Sequence, residues 1–189
     1  MSILFIDTAL RQCIVALKCG DSFFFRILSQ ENQHASNLNI LIDEVLNEAK
    51  ISYSDLSIVV VTVGPGSFTG IRVGMSAAYA INAVYDTAIY GISTLEIFAY
   101  IKECNSIVSS EAGRDRFYIQ HFSSDKVPSS PIQLFHKDEL NNYNSSIAGA
   151  YIGESYNAHD ILKAFHYKLK NFPVVTQLPS PIYINNAIY

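Results

Sequence analysis

The chain has 189 residues, 49% of them hydrophobic, and a formal net charge of −4. That length suits one large domain or two small ones with a sizeable core, and the apolar content excludes a disordered chain. The acidic balance, with no cluster of Lys and Arg, speaks against a protein that grips nucleic acid by itself.

Three cysteines (Cys13, Cys19, Cys104), odd in number and without zinc spacing, point to reduced thiols. The first residues carry no basic stretch, and Asp7 interrupts their apolar run, so a secretion signal is not expected. No run reaches the ~18 apolar residues of a membrane span. A soluble cytoplasmic protein is expected, with no membrane contact.

In chain order, residues 3–6 form a short apolar strand ending at Asp7. Residues 13–17 and 23–28 are two further strands across the hairpin turn Cys19-Gly20-Asp21. Residues 31–50 read as an amphipathic helix, with Leu38, Leu41, Ile42, Val45, Leu46 and Ala49 on one face. The β-branched run at 58–63 is a buried strand, and it leads into GPGSFTGIRVGMSAAYAINAV, residues 64–84. Gly64, Gly66 and Gly70 mark a tight turn, after which Ser67 or Thr69 caps a second helix. On that helix Gly70, Gly74 and Ala78 recur at every fourth residue, a nearly bare face that admits close approach.

Residues 88–92 are a strand, and Thr94 begins a third helix. A second unit starts near residue 105. It has strands at 107–110, 116–122, 132–135 and 147–153, a short helix at 137–141 and a helix at 158–167. Two α/β halves, 1–104 and a smaller 105–189, are the simplest organisation, each a mixed sheet with flanking helices.

The chemistry these residues offer is sparse. A phosphate loop needs GxxxxGK[ST], but Thr69 stands five residues after Gly64 and no lysine follows. The dinucleotide fingerprint GxGxxG fails at the same threonine. Asp7-Thr8 resembles the first phosphate loop of actin-like kinases, yet Ala9, Leu10 and Arg11 follow where a glycine is needed for close backbone approach. His34 lacks a second histidine at helical metal spacing, because Asn37 and Leu38 occupy those places. His121, His136, His159 and His166 are scattered. There is no GxSxG elbow, and Cys13 lies inside a strand. No cofactor, metal or catalytic residue is expected.

The glycine stretch G-P-G-S-F-T-G-I-R-V-G resembles the signature of the TsaB (YeaZ) family, the dimerisation subunit in making threonylcarbamoyladenosine in tRNA. ILFIDTALRQCIVAL, HASNLNILIDEVLNEAK and GISTLEIFA match the family in the same order, EAGRDRFYIQ resembles the segment opening its second half, and PIYINNAIY resembles its closing P-x-Y motif. The resemblance implies the duplicated actin-like (ASKHA, ribonuclease H-like) α/β fold and a peptidase M22-like label that no residue here supports with chemistry. It also implies a non-catalytic subunit that binds and supports TsaD, which transfers the threonylcarbamoyl group, together with the ATPase TsaE. Contact with tRNA then comes through the complex alone. In TsaD a His-x-x-x-His pair holds the metal; Leu38 stands where the second histidine belongs. Two departures concern the second half, which is shortened before Pro181, and Asn185, which replaces the usual arginine.

The second helix is apolar on almost every side and needs cover beyond its own sheet. The expected partner interface is Leu38, Leu41, Val45 and Ala49 with Gly70, Gly74, Met75, Ala78 and Ile81, packed on the equivalent helices of a TsaD-like subunit or of a second copy. The rival reading is an autonomous actin-like ATP-binding kinase or hydrolase; a protease is a third.

Overall fold

The computed structural model describes residues 1–29, 34–101, 106–113, 115–139, 151–153, 155–171 and 178–184. Strands β1 (Ser2–Asp7), β2 (Cys13–Cys19), β3 (Ser22–Leu28), β4 (Ile58–Thr62) and β5 (Ala88–Ile92) form one sheet in the order β3-β2-β1-β4-β5. The hairpins make β1, β2 and β3 antiparallel, whereas helical crossovers make β4 and β5 parallel to β1 and to each other. β1 is central and buried along its whole length, which its unbroken apolar run requires.

The pleat then divides its residues between two cores. Leu4, Ile6, Val15, Leu17, Val59 and Val61 face α1 (His34–Ala49) and α2 (Phe68–Tyr85). Ile3, Phe5, Ile14, Ala16 and Val60 face α3 (Thr94–Ile101) and α4 (Ala158–Asn171). Phe5 meets Phe165 of α4 edge to face at 5.6 Å.

Strands β6 (Ser106–Gly113), β7 (Arg116–Phe122), β8 (Gln133–His136) and β9 (Tyr151–Gly153) make a second sheet in the order β8-β7-β6-β9. β6 runs antiparallel to β7 and parallel to β9, so this sheet repeats the 3-2-1-4 order of the first. The duplication expected from the resemblance is therefore a feature of the backbone. The helix α4 extends four residues beyond the expected 158–167 because Leu169 still packs on the core and Lys168 reaches Glu96 at 2.9 Å. Residues 137–139 are helical, while 140–150, and with them the start of the strand expected at 147, lie outside the described residues. So does the expected boundary at 104.

Candidate partner-binding face

The glycine turn is held from both ends of the chain. Ser67 N–H donates to the Ala9 carbonyl (2.7 Å), and Thr8 Oγ1 donates to the Gly70 carbonyl (2.6 Å). A Cβ on Gly66 or Gly70 would lie inside the contact radius of the Ala9 and Thr8 carbonyl oxygens. The turn after β1 and the turn after β4 thus press directly together. Gly64 sits at φ +95°, which favours glycine, with Ile182 O 3.3 Å from where its Cβ would stand. Ser67, one of the two expected caps, accepts from Gly70 N–H at 3.1 Å.

Beneath the turn lies a buried polar cluster. Asp7 is 1% exposed, and its Oδ1 accepts from Ala9 N–H (2.9 Å) and Thr62 Oγ1 (2.6 Å). Tyr156 is buried beside it and near Thr94; burial first, then the charge of Asp7, holds its hydroxyl well above the ordinary tyrosine range. The Cys13 thiol is pushed up to about 12 by burial and by Asp7, the opposite of an activated nucleophile.

The small face of α2 is turned inward. Gly70, Gly74, Met75, Ala78 and Ile81 are all buried, and a Cβ on Gly74 would meet Thr8 Oγ1 at 2.5 Å and Ile6 Cγ2 at 3.4 Å. This corrects the expected geometry: those five residues dock α2 on its own sheet and cannot line an outer contact. Leu38 and Val45 are likewise core, and Leu41 and Ala49 pack against it. The outward side of the same two helices is a largely different set, sharing Leu38 with the expected one. Between Ala35, Leu38 and Asn39 of α1 and Phe68, Thr69, Arg72, Val73, Ser76, Ala77 and Ala80 of α2 runs an open groove of about 570 Å³. Of the lining residues Phe68 is 53% exposed, and Ile40 (53%) and Val84 (70%) are exposed elsewhere on the same two helices.

At one end of the groove stands a cluster that sequence reading missed. The Arg72 guanidinium lies 3.8 Å from the centroid of Phe68 and 5.7 Å from that of Tyr183, and its Nε donates to the Tyr183 hydroxyl at 3.0 Å. Tyr183 arrives on the closing segment, whose Ile182 N–H donates to Val63 O (2.7 Å) and whose Pro179 carbonyl accepts from Tyr79 Oη. A separation of 111 residues hid the pair, and no local pattern in either stretch pointed to it.

The histidines do not converge. His159 packs on Phe23 (4.8 Å) and Phe25 (5.7 Å), His136 Nδ1 lies 3.4 Å from Asp138, and the side chain of His34 lies outside the described residues. Among the described residues, no three His, Cys, Asp or Glu side chains are placed to hold a metal ion, and no helix is long and apolar enough to cross a membrane.

The family model for TsaD, tRNA N6-adenosine threonylcarbamoyltransferase, matches residues 27–126, more than half of the chain. Two relatives named tRNA threonylcarbamoyladenosine biosynthesis protein TsaB accompany it. The one from Buchnera aphidicola (subsp. Schizaphis graminum) is 36% identical over 97 residues, covering 51% of this chain and 46% of the relative. The one from Bacillus subtilis is 32% identical over 100 residues, covering 52% and 44%. The chain belongs to the TsaB (YeaZ) family, within the wider group that the TsaD model describes. A solved structure, YeaZ from Pseudomonas aeruginosa, superposes at a TM-score of 0.79 over 97% of this chain and 99% of that one, at 17% identity. That likeness shows the shared actin-like fold. In sequence, the chain spans about half the length of the curated TsaB relatives it matches.

Proposed function

We propose that this chain is a non-catalytic subunit that binds a TsaD-like protein through the outward face of α1 and α2 and supports transfer of the threonylcarbamoyl group to adenosine in tRNA. The observation that carries this reading is the juxtaposition of that face with a closed turn. The groove is lined by the exposed Phe68 and Ala80 and the half-buried Val73 and Ala77 of α2, beside Ala35 and Leu38 of α1, an apolar surface suited to a helix-pair contact. At the same time Thr8 and Ala9 fill the space against Gly66 and Gly70 where an actin-like enzyme would take its nucleotide phosphates.

The four-helix contact expected from the sequence is kept, on Ala35, Asn39, Val73, Ser76, Ala77 and Ala80 rather than on the glycine face. A TsaE-like ATPase joins through the complex, tRNA is reached through it, and the working compartment is the cytoplasm. The test is reconstitution. The isolated chain, given threonylcarbamoyl-adenylate and tRNA, is expected to yield no modified nucleoside, and addition of the TsaD-like protein of the same cell to restore it. Product from the chain alone would overturn the reading, and steady ATP turnover by it would favour the kinase or hydrolase alternative.

A further inference from the structure

We propose that Arg72 is the specificity determinant of the α1–α2 face, selecting a partner helix that carries a carboxylate, and that Tyr183 positions it for that contact. The proposal rests on the reading of this face as the partner surface.

An exposed arginine ordinarily loses much rotamer freedom when it is captured in an interface. Arg72 has already lost part of it. Its guanidinium is packed over Phe68, flanked by the Tyr183 ring and hydrogen-bonded through Nε to the Tyr183 hydroxyl. Its two Nη groups make no hydrogen bond among the described residues and lie on a residue that lines the groove. A fixed guanidinium fork matches a carboxylate in a bidentate fashion, which gives direction as well as attraction.

The groove itself decides what can satisfy it. Among the described residues lining it, Arg72 is the charged one and none is a carboxylate. The acids of α1 are engaged elsewhere: Glu44 and Glu48 hold Arg26 at 2.7 and 2.8 Å, and Asp43 accepts from Tyr53 Oη at 2.8 Å. A second copy laid symmetrically on this groove therefore brings Arg72 no counter-charge from its own groove, and covering an unpaired cation is strongly unfavourable. A heterologous helix with Asp or Glu opposite Arg72 removes that penalty, so one side chain favours the TsaD-like partner and disfavours self-association. A cation between two aromatic rings also resembles a base-stacking platform. A single positive charge among the described lining residues makes a poor track for phosphates and favours the protein partner.

The experiment measures binding of the full chain to the TsaD-like protein of its own cell, by calorimetry at low and at about 150 mM salt, with melting temperatures alongside. The variants are Arg72→Lys, Arg72→Gln, Arg72→Glu and Tyr183→Phe. Arg72→Gln is expected to weaken association about tenfold and to flatten its salt dependence. Arg72→Glu is expected to weaken it about a hundredfold or more, with Arg72→Lys intermediate. Tyr183→Phe keeps the ring and loses the hydroxyl, for a few-fold loss that salt does not mimic. All four stay folded, because both side chains are exposed. A parent chain that fails to bind the TsaD-like protein sinks the reading of the face. Parent binding with unchanged Arg72 variants sinks this inference alone. Loss of tRNA binding by Arg72→Gln, with partner affinity intact, overturns it in favour of nucleic acid.

Discussion

Thr8 is the residue on which the two central turns close, since its carbonyl abuts Gly70 and its hydroxyl both donates to Gly70 O and abuts Gly74. Substitution at Gly74 is therefore an internal event. Gly74→Leu is expected to destabilise the fold by at least ~1–3 kcal/mol, the range for overpacking a close contact, measured as a fall in urea midpoint. Ala80→Arg, on the exposed groove, is expected to leave that midpoint nearly unchanged while abolishing partner binding; the reverse pattern would place the partner on the glycine side. The buried acidic groups predict a pH response. The Cys13 thiol is held up to about 12 against an ordinary value near 9, and the Tyr156 hydroxyl is held above its ordinary 10. For a group whose folded pKa is raised, the stabilisation is complete below the unfolded value and is lost as pH climbs through the folded one. Stability should therefore decline from about pH 9 upward, and Cys13→Ala should flatten the first part of that decline in melting curves taken between pH 8 and 11. An unchanged slope would mean that Cys13 is not the group responding.

At the scale of elements, α2 shows what the sequence could and could not reveal. Its all-round apolar character asks for cover beyond its own sheet; α1 supplies a second side through the core that Leu38, Val45, Met75 and Ala78 share, while Ser76, Ala80 and Val84 stay exposed. Periodicity identifies a face but not its partner, so the stripe Gly70, Gly74, Ala78 served equally well for a foreign helix or for the chain's own β1. The structure chose β1, because absent side chains let Thr8 sit directly on the helix backbone. The strands and helices themselves were legible from run length and spacing, down to the hairpin at Gly20 and the helix after Ser93. The Arg72–Tyr183 cluster was not, because nothing local in either stretch refers to the other. The helix α3 offers a test of local and long-range terms acting together. Glu96 Oε2 accepts from Ser93 N–H (2.7 Å) while Leu95 N–H donates to Ser93 Oγ (3.1 Å), a reciprocal cap. The same carboxylate meets Lys168 of α4 at 2.9 Å, with both side chains partly shielded. Glu96→Gln retains much of the cap and loses the ion pair, whereas Glu96→Ala loses both. The expected costs are about 0.5 and about 1–2 kcal/mol respectively; no loss in Glu96→Gln would show that the bridge to α4 contributes nothing, and equal losses that the cap adds nothing.

At the scale of the molecule, two sheets that share the 3-2-1-4 strand order are joined through α3 and α4, and the joint is largely apolar. One face of the first sheet (Ile3, Phe5, Ile14, Ala16, Val60) shares a single core with Ile161, Ala164 and Phe165 of α4 and with Phe122 of the second sheet. Residues 178–184 then return across the first half, where Ile182 extends the hydrogen bonding at Val63 and Pro179 packs on Gly91. The two sheets are thus repeats in topology that share a hydrophobic interior, and on that basis we propose the halves expected from the sequence, 1–104 and 105–189. A fragment of residues 1–104 would expose Phe5 and Phe98, both 0% exposed in the full chain, along with the rest of that face. Fully burying such a side chain is worth ~1.5–3 kcal/mol, and a domain's whole margin is only ~5–15 kcal/mol, so losing this face alone is enough to unfold it. The fragment is expected to be aggregated or molten, and the full chain to unfold in one transition, with far-UV circular dichroism and tyrosine fluorescence coinciding in urea. A folded, monomeric 1–104 fragment, or two separated transitions, would instead make the halves independent domains, and the α1–α2 face could then be studied on the fragment alone.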